Sequence, residues 1–194
     1  MMNRLLLLLF GASATVLMFG LWIPFKALVA QELLALAWAE TQARQVEARP
    51  WPWADTWPVA RLELPELGVS MIVLEGLHGE SLAFGPGRMV TGEQGPVILA
   101  GHRDTHFRPL EHLEQGHRVQ LQGQDQQWQQ YQVTGTRVVD SRTESIDTST
   151  FGPDTLLLVT CYPFDALDAN GPLRFVVEAK PVNRPVQKDT VAAL

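Results

Sequence analysis

Thr155-Leu156-Leu157-Leu158-Val159-Thr160-Cys161-Tyr162-Pro163-Phe164 is the stretch on which the reading of this chain turns. Its large aliphatic residues are bounded by Gly152-Pro153 on one side and Pro163 on the other. A short, continuous apolar run between such punctuating residues reads as a buried strand. The strand ends at the only cysteine of the chain. A lone cysteine forms no internal disulfide, so it is either a small buried hydrophobe or a thiol kept for its reactivity. A strand end that opens into a loop favours the second reading, because reactive groups are held where rigid elements meet loops.

A free thiol has a pKa near 8.5 and is mostly protonated at neutral pH, so it needs a base or a cation beside it. Five histidines are available. His102 stands out because it follows the apolar run Pro96-Val97-Ile98-Leu99-Ala100 and a glycine, which would fix its backbone while its side chain enters a cleft. In Gly101-His102-Arg103-Asp104 the polar neighbours could orient the imidazole; Asp104 is a candidate for that, or a turn residue. His106, His112 and His117 read as surface or core residues, and His78 lies in a Gly-rich loop. Arg174 interrupts the apolar strand Leu173-Arg174-Phe175-Val176-Val177-Glu178-Ala179-Lys180. It is either a solvated outward arginine or a guanidinium at a barrel mouth that faces the Cys161 loop and steadies an oxyanion.

The rest of the chain from Val59 has β texture. Arg61 to Leu64 alternates, Pro65 to Gly68 turns, and Val69 to Leu74 is a second strand. Glu75 to Pro86 holds a short helical turn, and a short helix fits Pro109 to Gln115 with Leu110 and Leu113 on one face. Arg118 to Gln122 and roughly Gln127 to Val139 complete the set as strands around a turn. Seven or eight short strands with little helix predict a mostly β fold, a closed or nearly closed barrel.

The N-terminal stretch is different. Leu5 to Ile23 carries no charge over 19 residues, roughly 28 Å as a helix and about the thickness of a bilayer core. It is longer than the roughly 7–15 apolar residues of a signal-peptide core, which favours an uncleaved transmembrane anchor. Lys26 to Arg49 has no Gly or Pro and reads as a helical stalk stopped by Pro50. Trp51, Trp53 and Trp57 in a Pro-rich stretch read as a linker docked on the domain wall. The expected organisation is a membrane anchor at 1–25, a stalk and linker at 26–58, a catalytic domain at 59–181 and a flexible tail at 182–194. The net charge of −6 argues against a nucleic-acid partner. No zinc spacing or phosphate loop is present, so no cofactor or metal is expected; Glu111, Glu114 and Asp147 read as solvated surface rather than a calcium site.

Together these residues resemble the sortase family. Thr155 to Cys161 is similar to its strand ending in Thr-Cys, Gly101-His102 to its histidine site, and Leu173 to Val177 to the strand carrying its arginine. The order His, Cys, Arg and the gaps of 59 and 13 residues agree. The likeness spans roughly Val59 to Pro181, and its texture is similar to sortases of proteobacteria. It implies a sortase-like closed β-barrel of about eight strands with short helices, behind an N-terminal transmembrane helix. It implies a membrane-anchored cysteine transpeptidase, with Cys161 as nucleophile, His102 as acid and base, and Arg174 on the oxyanion. The implied partners are a client protein with a C-terminal LPXTG-like sorting motif and an amine acceptor on the cell surface or envelope. The implied location is the cytoplasmic (inner) membrane, single-pass, with the domain on the periplasmic or extracellular side. The departure is Tyr162-Pro163-Phe164 after the thiol, in a loop that shapes substrate choice.

Three other readings compete. A membrane-anchored cysteine peptidase would hydrolyse its substrate. An L,D-transpeptidase would carry Ser-x-Gly-Cys around the thiol, unlike Thr160-Cys161-Tyr162-Pro163. A non-catalytic β-barrel binding module would bury an inert cysteine.

Overall fold

The apolar run and the stalk form one helix, α1 (Met2–Arg44), with Pro24 inside it. The computed structural model describes residues 2–89, 92, 95–168 and 171–182, so nearly all of the expected tail at 182–194 lies outside the described residues. Within α1, Leu9–Arg44 contains a window long and apolar enough to cross a membrane, and none of that window is buried. Further along, Ala30, Leu34, Ala37, Trp38 and Thr41 are buried at helical spacing against the barrel. Gln31 Nε2 adds a 2.9 Å bond to the Phe84 carbonyl.

The helix ends at Arg44, short of the Pro50 stop expected from sequence. Gln45 takes a left-handed backbone with φ 54 and donates its N–H to the Thr41 carbonyl at 2.9 Å. The Thr41 hydroxyl then accepts the Ala48 N–H, which folds the chain back onto the helix. Two of the three linker tryptophans dock. Trp51 meets Phe84 edge-on at 4.9 Å, and Trp57 packs on the core beneath the Arg49 guanidinium. Trp53 is 80% exposed.

Eight strands follow: β1 (Pro58–Leu64), β2 (Val69–Glu75), β3 (Gly87–Met89), β4 (Val97–Ala100), β5 (Arg118–Gln122), β6 (Trp128–Asp140), β7 (Leu156–Cys161) and β8 (Leu173–Pro181). They close into a barrel in the order β1-β2-β3-β4-β7-β8-β6-β5, which leaves no free sheet edge. β2–β3 and β4–β7 pair in parallel and the other pairs are antiparallel. The short helix α2 (Gly79–Phe84) lies in the expected Gly-rich connection. β3 was not foreseen. Gly87 fits there because a Cβ would stand 2.1 Å from the Gly76 carbonyl oxygen. The helix expected at Pro109 to Gln115 is a 3-10 turn over Arg108–His112, with Leu110 and Leu113 both buried.

Strand alternation divides the apolar residues between two sites. Leu156 and Leu158 of β7 point into the barrel with Leu62, Leu99, Phe107, Tyr131 and Val177. Leu157 points outward and is still fully buried, beside Ile98, Val139 and Val176, under Ile146 and Phe151 of the β6–β7 connection. β7 is therefore covered on both faces, which is why its sequence is continuously apolar.

Candidate active site

The outer face of β4, β7 and β8 carries the residues singled out by sequence. Outward positions on β4 are Ile98 and Ala100, and the same alternation continues to His102. On β7 the outward series is Leu157, Val159 and Cys161, and on β8 it is Val176 and Arg174. Ala100 pairs with Val159 in parallel register, so His102 and Cys161 each stand two residues past one pair. Cys161 pairs directly with Arg174 across the antiparallel ladder. Neighbouring strands lie about 4.8 Å apart, so His102, Cys161 and Arg174 stand side by side along the backbone as one short row, with Cys161 in the middle. The row lies on the outer wall at the strand ends rather than in the barrel mouth.

Local packing explains how each member is held. The Gly101 N–H donates to the Val159 carbonyl at 3.2 Å. In return the buried Thr160 hydroxyl donates to the Gly101 carbonyl at 2.7 Å. The threonine before the cysteine thus faces inward and ties the two strand ends together. Gly101 is in contact with buried Phe107: a Cβ there would meet the ring at 2.9 Å. The Phe107 N–H closes the turn onto the His102 carbonyl at 3.0 Å. His102 itself is exposed, and Cys161 and Arg174 are half-buried. Arg174 Nη1 donates to the carbonyls of Gly171 and Leu173 at 2.6 and 2.9 Å, which folds the side chain over the start of β8.

After Cys161 the chain is fastened at several points. Phe164 is buried, meets Phe175 edge-on at 5.2 Å, and Tyr162 stacks on Phe175 at 6.2 Å. The Tyr162–Pro163 bond is cis. Arg103, beside His102, sends its guanidinium into this loop. Asp104 pairs with Arg103 at 2.7 Å rather than orienting His102. That bond to Arg103 holds the Asp104 carboxyl below the usual carboxylate range. Burial, and then the charge of His102, push the His106 imidazole below its ordinary value. His78 pairs with Asp55 at 3.4 Å, far along the chain from the row, and the His117 ring accepts the Glu114 N–H at 3.3 Å. Glu111 pairs with Arg108, and Asp147 binds its own Ser149. Among the described residues no group of three or more His, Cys, Asp or Glu gathers as metal ligands do. A cavity of about 270 Å³ lined by Val59, Val97, Leu121 and Arg88 opens where β4 begins, the end away from the thiol.

The sortase-domain family model matches residues 62–182, well over half of the chain and the whole of this row. The chain belongs to the sortase family. Among curated proteins, sortase D of Bacillus subtilis (strain 168) is 33% identical over 125 residues, covering 62% of this chain and 62% of that protein's length. Solved sortases share the fold. A Clostridium perfringens sortase D5 transpeptidase superposes with TM-score 0.56 at 21% identity, covering 79% of this chain and 98% of that one. Sortase E1 from Streptomyces coelicolor, with a tripeptide in its active site, gives TM-score 0.53 at 26% identity, covering 66% and 90%. Sortase A from Corynebacterium diphtheriae gives 0.56 at 22%, covering 70% and 65%. The chain is thus a sortase-family protein with a closed eight-stranded barrel, from a family of transpeptidases, and its N-terminal helix is a candidate membrane anchor.

Proposed function

We propose that this sortase is a membrane-anchored cysteine transpeptidase using Cys161, His102 and Arg174. The observation that carries the reading is the shared outward row at the ends of β4, β7 and β8, with Cys161 paired to Arg174 and level with His102. In the first step the Cys161 thiolate adds to a peptide carbonyl carbon. The oxyanion that forms is met by the Arg174 guanidinium, once Nη1 turns from the Gly171 and Leu173 carbonyls that it holds in this structure. The tetrahedral centre collapses, the C–N bond breaks, and His102 protonates the departing amine, leaving a thioester on Cys161. An incoming amine, deprotonated by His102, then attacks the thioester, forms a new amide and frees the thiol. Atoms balance without an external reagent, since one amide is exchanged for another.

The substrate proposed is a client protein with an LPXTG-like motif near its C-terminus, and the acceptor is an amine on the cell surface or envelope. Residues 1–25 are the proposed single-pass anchor in the cytoplasmic membrane, 26–58 the stalk and linker, 59–181 the catalytic domain on the periplasmic or extracellular side, and 182–194 the tail. The exposed apolar surface of α1 before its docked half supports the anchor.

The test uses the full chain in detergent micelles with an LPXTG-like peptide and a primary amine, followed by mass spectrometry. The expected products are a ligated peptide and a trappable thioester on Cys161, both absent in Cys161→Ala. Arg174→Ala should lower kcat by about 10²–10³-fold, and His102→Ala by about 10²–10⁴-fold. Hydrolysis alone at every amine concentration would replace the reading with that of a peptidase.

A further inference from the structure

Arg103 is a buried arginine that the reaction as written does not use. Its side chain is 2% exposed. Nε and Nη2 grip both oxygens of Asp104 at 2.7 and 2.9 Å, Nη1 donates to the Pro163 carbonyl at 2.7 Å, and Nη2 to the Ala166 carbonyl at 2.9 Å. Four of the guanidinium's five N–H groups are thus engaged. Close by, Arg108 Nη1 donates to the Phe164 carbonyl. Two arginines of the segment that carries His102 therefore hold three main-chain carbonyls of the segment that follows Cys161.

This linkage has an economical physical logic. A loop leaving a strand end exposes carbonyls that need donors if they are not to face water. Here most of the donors come from Arg103, next to His102, and from Arg108; the loop itself adds the Ala166 N–H to the Pro163 carbonyl at 3.4 Å. The planar fork reaches two carbonyls and a carboxylate at once, which a lysine ammonium cannot reproduce. Asp104, open to solvent on its other side, neutralises the buried charge.

We propose that Arg103 is a positioning residue that clamps the Cys161 loop to the His102 turn and so fixes the separation of thiol and imidazole. It is not a catalytic residue, because its nitrogens are occupied and shielded from substrate. The inference rests on the reading of Cys161 and His102 given above.

The experiment compares Arg103→Met and Arg103→Lys with the unaltered full chain in micelles, with folding checked by thermal melting. The deciding readout is the rate of Cys161 alkylation by iodoacetamide, which needs no substrate. The second is kcat and KM for the LPXTG-like peptide. Folded Arg103→Met should alkylate about fivefold or more slowly, because the thiol loses its partner. Its kcat should fall about ten- to a hundredfold, the scale of an ångström-sized misplacement, with KM within about twofold. Arg103→Lys should recover part of both losses. An unaltered alkylation rate, an unaltered kcat, or a loss confined to KM overturns the proposal. If Arg103→Met does not fold, the same readings on Arg103→Lys decide. If the unaltered chain leaves the peptide uncut, the proposed substrate falls, and the alkylation ratio still judges Arg103.

Discussion

At the scale of single residues, the candidate site depends on two small groups, Gly101 and Thr160, that hold its strand ends together. Gly101 has no room for a methyl group, since its Cβ would press on the Phe107 ring at 2.9 Å. Gly101→Ala should therefore cost about 1–3 kcal/mol, the range for overpacking a core, and should lower activity by displacing His102. Urea unfolding and peptide turnover check the two halves of that expectation. Thr160→Val keeps the shape and removes the bond to the Gly101 carbonyl, a buried acceptor left unpaired. That should cost about 1–3 kcal/mol in the same assay. An unchanged urea midpoint for Thr160→Val would mean the hydroxyl does not hold the two strand ends. The glycine before His102 and the threonine before Cys161 were legible as parts of a motif; their mutual contact was not. Arg103 was legible only as a polar neighbour of His102. Beyond the neighbouring Asp104, its acceptors are main-chain carbonyls 60 and 63 residues away, and a carbonyl has no side-chain signature in sequence.

Among the elements, the clearest contrast is between β7 and α1. β7 announced itself because its two faces are both covered, so every position from Leu156 to Leu158 is a large aliphatic. β3 could not be read, because three residues, the first a glycine, carry no periodicity. The end of α1 was misplaced because Gln45, not proline, adopts the left-handed turn that stops it, and glutamine gives no warning of that. The docked half of α1 rests on Leu34 and Trp38, each 1% exposed. Trp38→Ala should loosen residues 30–44 by about 3–5 kcal/mol, read as faster amide exchange along that segment. The Trp38 indole N–H is buried without a hydrogen-bond partner. Trp38→Phe should then cost less than Trp38→Ala, because it leaves the smaller cavity and gives up no hydrogen bond. Equal exchange in Trp38→Ala and the unaltered chain would contradict the packed interface.

On the scale of the whole molecule, stability should fall at both ends of the pH range for separate reasons. Asp104, Asp140 and Asp147 are held below their ordinary value of 3.8 by hydrogen bonds from Arg103, Arg142 and Ser149. Their contribution is complete above that value and is lost as pH falls through the lower folded values. Burial, reinforced by Asp154, raises Tyr131 from 10.0 to about 12. Its contribution is complete below pH 10.0 and disappears as pH climbs towards 12. Urea midpoints against pH should show a plateau between these limbs, and absorbance at about 295 nm should report late ionisation of Tyr131 in the folded chain. A Tyr131 that ionises near 10.0 while the barrel stays folded would refute the alkaline limb. A last consequence follows from α1 being one piece from the proposed anchor to Arg44, with its upper half packed on the barrel. Apart from any bend at Pro24, the enzyme would stand at a set altitude above the lipid and on a set compass bearing. Clients would then be sorted first by how far their scissile bond rides from their own membrane span, before any pocket inspects a side chain.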